Sequence, residues 1–140
     1  NGLEPDCVDR FNYLLMQVPC ARIVVSSAWR YWVVSGHMKL SGLEGTFMTH
    51  GLDCKDRIIG ITESDEHTEG VVKIAFNKIR DAETIRNNQI YNYAESNSIK
   101  DFVVFDDMNL RMPELIRTDA RFGITDKLIE IAIDRLQSFP

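Results

Sequence analysis

The order of apolar segments predicts an α/β fold with a mainly parallel sheet. Three observations carry that reading. Short, nearly uninterrupted apolar runs occur at Arg22–Ser26 (RIVVS), Ile58–Ile61 (IIGI) and Phe102–Phe105 (FVVF), the pattern of strands covered on both faces. Between them lie segments whose apolar residues recur at three- and four-residue steps, as crossover helices in a parallel sheet require. The 140 residues hold no repeat, low-complexity tract or Pro/Gly-rich linker, so residues 1–140 are expected to form a single domain.

Taken in order, CVDRFNYLLMQV (Cys7–Val18) sets Val8, Phe11, Leu14, Leu15 and Val18 on one helical face. The strand Arg22–Ser26 follows, and a helix is expected from near Ser27, where a serine can cap the first turn, with Trp29, Trp32 and Val33 facing inward. GLEGTF (Gly42–Phe47) and HGLD (His50–Asp53) read as turn-rich. Ile58–Ile61 is a strand, and SDEHTEG (Ser64–Gly70) a surface loop. A long polar helix is expected over Asp81–Ser96, with Ile85, Ile90, Tyr93 and Ala94 inward. The strands Phe102–Phe105 and Leu115–Arg117 come next, then a turn at Gly123. A closing helix capped by Thr125 spans Thr125–Phe139.

The net charge of −5 argues against a non-specific grip on a nucleic-acid backbone. It leaves room for one phosphorylated end, which needs only a local positive patch. No apolar run nears the roughly 18 residues of a membrane span, so no membrane partner and a cytoplasmic location are expected. The three cysteines, Cys7, Cys20 and Cys54, are an odd number without CxxC spacing and fit reduced thiols. His37, His50 and His67 show no zinc spacing.

Chemistry gathers at two strand ends. Ligands of open α/β sheets bind outside the carboxyl ends of the strands. Ser26 and Ser27 stand at one such end, Asp106 and Asp107 at another. A hydroxyl beside a helix N-terminus can hold a phosphate oxygen. Paired carboxylates suit Mg²⁺, which takes oxygen ligands and bridges to phosphate. Taken singly, the serines also read as a helix cap and the aspartates as a solvated turn; together, in this order, they are more specific.

The wording along the chain resembles a small branch of the haloacid dehalogenase (HAD) superfamily. VVSSAWR (Val24–Arg30) is similar to that branch's second motif, hydrophobic residues followed by SSSWR, and IIGITES to the strand after it. IRNNQIYNYAES (Ile85–Ser96) resembles the helix that opens on a basic residue, FVVFDDMN (Phe102–Asn109) the acidic fourth motif, and LIRTDARFGITDKLIEIA (Leu115–Ala132) the closing segment. The resemblance implies a three-layer, Rossmann-like domain and a Mg²⁺-assisted phosphohydrolase acting through an aspartyl-phosphate. Ser26 would hold the transferring phosphoryl group, with Ser27 as the alternative. Arg86 would be the basic third-motif residue, with Lys73, Lys78 and Arg80 as alternatives. Asp107 would be a metal ligand, with Asp106 binding directly or through water. Relatives associated with nucleic-acid repair make a phosphorylated nucleic-acid end a candidate partner beside a phosphorylated small molecule.

One motif is missing. The family's DxDG nucleophile occurs nowhere in the sequence, and Asp6 and Asp9 have the wrong spacing at a helix start. Two expectations follow: a domain truncated at its N-terminus, or a catalytically inactive HAD-like binding module. A missing first strand would leave sheet edges open to self-association. A receiver-like domain also joins acids and a hydroxyl at strand ends, but carries its acidic pair early in the chain.

Overall fold

The computed structural model describes residues 4–26, 39–62, 79–119 and 121–140, with residues 79–81 described in backbone only. Among them run, in order, α1 (Pro5–Gln17), β1 (Ile23–Val25), α2 (Leu40–Thr49), β2 (Ile58–Ile61), α3 (Ile79–Ser96), β3 (Val104–Asp106), β4 (Leu115–Arg117) and α4 (Asp126–Ser138). The fold is α/β, as the segment order predicts.

α1 starts on a proline, whose missing N–H costs nothing in the first turn, and buries Cys7, Val8, Leu14 and Leu15. It packs along α4, to which Arg10 ties it by donating to Asp126 Oδ1 (2.8 Å) and to the Ile124 carbonyl (3.0 Å). α4 is capped as expected: Thr125 Oγ1 accepts from the Leu128 N–H.

The segment expected to be turn-rich is where sequence and structure part. Gly42–Phe47 lies inside α2. Leu43 and Phe47, four residues apart, are both buried, and that burial outweighs the low helix propensity of two glycines. Thr46 and Thr49 donate their hydroxyls to the carbonyls of Gly42 and Gly45. The turn expected at His50–Asp53 is present, with Gly51 at φ 96°. The expected helix from Ser27 and the loop Ser64–Gly70 lie outside the described residues.

β1 and β2 pair in parallel, Ile23 opposite Ile58 and Val25 opposite Ile61, with an irregularity after Ile23. β3 and β4 pair in parallel, Val104 opposite Leu115 and Asp106 opposite Arg117. The described strands thus form two two-stranded ladders rather than one continuous sheet.

Helices cover both faces of β3–β4. Phe105 and Ile116 point into a core with Leu14, Leu15, Ile129 and Ile133 of α1 and α4. Their neighbours Val104 and Leu115 point the other way, toward Ile90 of α3 and Leu110. Alternate residues of a strand face opposite sides, so this half has three layers. β1–β2 packs on Leu43 and Phe47 of α2. Ile23 and Leu52 touch both this cluster and the one around α1 and α4, so side-chain packing joins the ladders.

Candidate functional site

Asp106 ends β3 and is buried. A buried carboxylate must be satisfied, and this one is satisfied at both oxygens. Arg86 of α3 donates from Nη1 to Oδ2 over 2.9 Å, and the Met108 N–H donates to Oδ1 over 2.9 Å. The second bond is an Asx-type turn, the local chemistry by which an aspartate bends the chain leaving a strand. α3 holds this loop at a further point, where Glu83 Oε2 accepts from the Asn109 N–H (3.1 Å).

β4 fixes the other side. The Thr118 N–H donates to the Asp106 carbonyl (2.9 Å), and Arg117 Nε donates to the Asp107 carbonyl (3.2 Å). Asp107 and Arg117 are exposed. A buried anion, a half-buried guanidinium, an exposed carboxylate and an exposed guanidinium therefore surround the carboxyl ends of β3 and β4.

The ends of β1 and β2 are built in hydroxyls. Thr62 follows β2, is 2% exposed, and donates from Oγ1 to Ser26 Oγ over 3.1 Å. Its N–H donates to the Val25 carbonyl (3.0 Å) and continues the parallel ladder. Ser26 is half-buried.

Of the residues singled out in the sequence, the structure joins Arg86 to Asp106, sets Asp107 beside them, and joins Ser26 to Thr62. Ser27, Arg30, Trp29, Trp32, His37, His67, Lys73 and Lys78 lie outside the described residues, as does the side chain of Arg80. Asp6 and Asp9 line a cavity of about 510 Å³ beside Arg10, Tyr13 and Asp126 at the junction of α1 and α4. Cys54 is buried, which pushes its thiol upward, and nearby Glu44 adds to the shift; that is opposite to what a nucleophile needs. Sequence reasoning missed Thr62 and Arg117. The signal for Thr62 was a hydroxyl directly after IIGI, at the place Ser26 holds after IVV.

Asp106 and Asp107 offer the hard oxygen donors that suit Mg²⁺. Both oxygens of Asp106 already accept hydrogen bonds, and the described residues contain no group of three His, Cys, Asp or Glu placed to hold a metal. Such a pair fits a cation that takes one or two carboxylates and completes its shell with water and phosphate, and does not fit a closed protein cage. No helix among the described residues is long and apolar enough to cross a membrane.

The family model described as "HAD domain in Swiss Army Knife RNA repair proteins" matches residues 1–129. No curated protein matches the chain, and no solved structure matches it.

Proposed function

The chain belongs to the family of HAD domains in Swiss Army Knife RNA repair proteins, and from that premise we propose that it carries the phosphate site of a Mg²⁺-dependent phosphohydrolase acting on nucleotide or nucleic-acid end phosphates. The buried Arg86–Asp106 pair at the end of β3 is the observation that carries the reading. Such a pair fixes a guanidinium at a strand end, where it neutralises charge on a phosphoryl group. Ser26, hydrogen-bonded to Thr62, is read as the hydroxyl that holds a phosphoryl oxygen, on the likeness of its motif. Asp107 and Asp106 hold the Mg²⁺, which when bound offsets charge on the phosphoryl oxygens.

A second reading is favoured by the sequence: with no DxDG among the 140 residues, the domain binds the phosphorylated end without forming an aspartyl-phosphate. A cytoplasmic setting is part of the proposal and is supported by three free cysteines, of which Cys20 is exposed. Pairing of a ladder edge with a second copy is proposed with it.

Two measurements test this. The chain should bind an end-phosphorylated oligonucleotide more tightly with Mg²⁺ than without, and more tightly than the same oligonucleotide lacking the phosphate. Absence of that preference overturns both readings. Mixing with Mg²⁺ and an aryl phosphate should give no burst or turnover, because the 140 residues hold no DxDG nucleophile; clear turnover would assign that role to another residue, Asp6 or Asp9.

A further inference from the structure

Phe122, five residues beyond β4, is 66% exposed. A lone apolar side chain at a surface needs no explanation, but this one has a built support. Asp119 Oδ1 accepts from the N–H groups of Arg121 (2.7 Å) and Phe122 (3.2 Å). The Gly123 N–H donates to the Asp119 carbonyl (2.7 Å), and the two residues form an antiparallel bridge. Gly123 takes φ 65°, and a Cβ there would stand 2.9 Å from Cys7 Sγ, so glycine is needed on both counts. The Cys7 thiol donates to the Phe122 carbonyl (3.9 Å). The backbone is thus held from two sides while the ring is left to solvent.

The ring has a cationic companion. The Arg121 guanidinium lies 5.2 Å from its centroid, a cation–π arrangement. Planar guanidinium and aromatic ring are the two side-chain types on which unpaired nucleobases stack.

Its place in the fold matters as much. Thr118 is hydrogen-bonded to the Asp106 carbonyl, and Phe122 follows it by four residues. Even a fully extended chain would put them no more than about 14 Å apart, and the Asp119–Gly123 bridge folds that path back. The Phe122 turn thus leaves the same carboxyl end of β3 and β4 at which Arg86 and Asp106 meet. The net charge of −5 weakens any general hold on a phosphate backbone, so affinity for one end must draw on its base.

We propose that Phe122, with Arg121, is a stacking platform for the nucleobase next to the phosphate held at Arg86 and Asp106, which makes a nucleic-acid end, rather than a small phosphorylated metabolite, the substrate class. The inference rests on the phosphate-site reading above and adds the base-recognition element.

The test compares equilibrium binding of three short single-stranded oligonucleotides: end-phosphorylated, end-phosphorylated with the terminal base removed, and unphosphorylated. Wild type, Phe122→Ala and Phe122→Trp are measured, with circular dichroism checking that each is folded. Phe122→Ala should weaken binding of the base-bearing phosphorylated oligonucleotide roughly tenfold, a typical loss for one stacking partner. It should leave the abasic one unchanged, and Phe122→Trp should restore affinity. Equal binding by wild type and Phe122→Ala, or equal loss for base-bearing and abasic ends, overturns the platform and leaves the phosphate site standing. Affinity that ignores the phosphate yet falls on Phe122→Ala upholds the platform and overturns the phosphate site. Binding of none of the three, or Phe122-dependent binding of a phosphopeptide in their place, overturns the platform.

Discussion

Arg86 and Asp106 form an ion pair 2.9 Å long in which the carboxylate side chain is 6% exposed and the guanidinium 23%. The pair joins the middle of α3 to the last residue of β3. Two charges brought this far out of water gain little by comparison with well-packed apolar residues, but removing one partner strands the other. Arg86→Ala should therefore destabilise the fold by about 3 kcal/mol, read as a fall in melting temperature. Asp106→Asn, which keeps an oxygen for the Met108 N–H, should cost less. A variant lacking Arg86 that melts with wild type would show that the pair contributes nothing to the fold.

Ser26 and Thr62 should be energetically coupled. Removing the Ser26 hydroxyl leaves the buried Thr62 hydroxyl short of the acceptor it has at 3.1 Å, at a cost of about 1–2 kcal/mol. Thr62→Val removes the donor while keeping the volume. The double variant should then lose about 1 kcal/mol less than the sum of the singles. Strict additivity in a denaturation cycle would rule the contact out as an energetic link between β1 and β2.

Gly60 is needed because Tyr93 of α3 lies against it. A Cβ at position 60 would overlap the Tyr93 hydroxyl and come within 3.0 Å of Cζ. Gly60→Ala should destabilise by about 1–3 kcal/mol, the usual cost of overpacking. Adding Tyr93→Phe removes the worst clash and should recover part of that loss. If thermal melts show Gly60→Ala to be neutral, or Tyr93→Phe gives no recovery, α3 does not press on β2 in this way.

Alkaline pH should loosen the contact between α3 and the turn before β4. The Tyr91 hydroxyl donates to Glu114 Oε1 over 2.7 Å. Burial first, and then that bond and the charge of Glu114, push the phenol from 10.0 up to about 12. A folded value above the unfolded one means that the protonated phenol stabilises the fold. Its contribution is complete below about pH 10 and is lost as pH rises through about 12. Melting curves between pH 9 and pH 12 should show the fall, and Tyr91→Phe should be less stable by about 1 kcal/mol at pH 8 with a flatter alkaline limb. An unchanged limb in that variant would assign the pH dependence to another group.

Much of this architecture was legible in the residues. β2 and β4 fall on the expected residues because IIGI and LIR are short apolar runs between polar flanks. α4 starts after Thr125 because only a capping side chain there satisfies the Leu128 N–H. α2 was hidden: Gly42 and Gly45 are local turn signals, whereas the burial of Leu43 and Phe47 that overrides them comes from packing against β1 and β2. The Arg86–Asp106 pair could be anticipated only by likeness of motifs, since 20 residues separate its partners and no local rule links them. Ser26 stands out in the sequence as a phosphate ligand, but its partner Thr62 lies 36 residues away and is visible only through strand register.

Among the described residues the two ladders meet through Ile23 and Leu52 instead of through shared backbone bonds. Hydrogen bonds fix distance and direction, but methyl groups sliding over one another do so far less strictly. The joint between the ladders is therefore partly a greasy one, beside α3, which touches β2 through Tyr93 and β3 through Arg86. A change as small as Ile23→Val would loosen that packing while every rung of both ladders stayed intact.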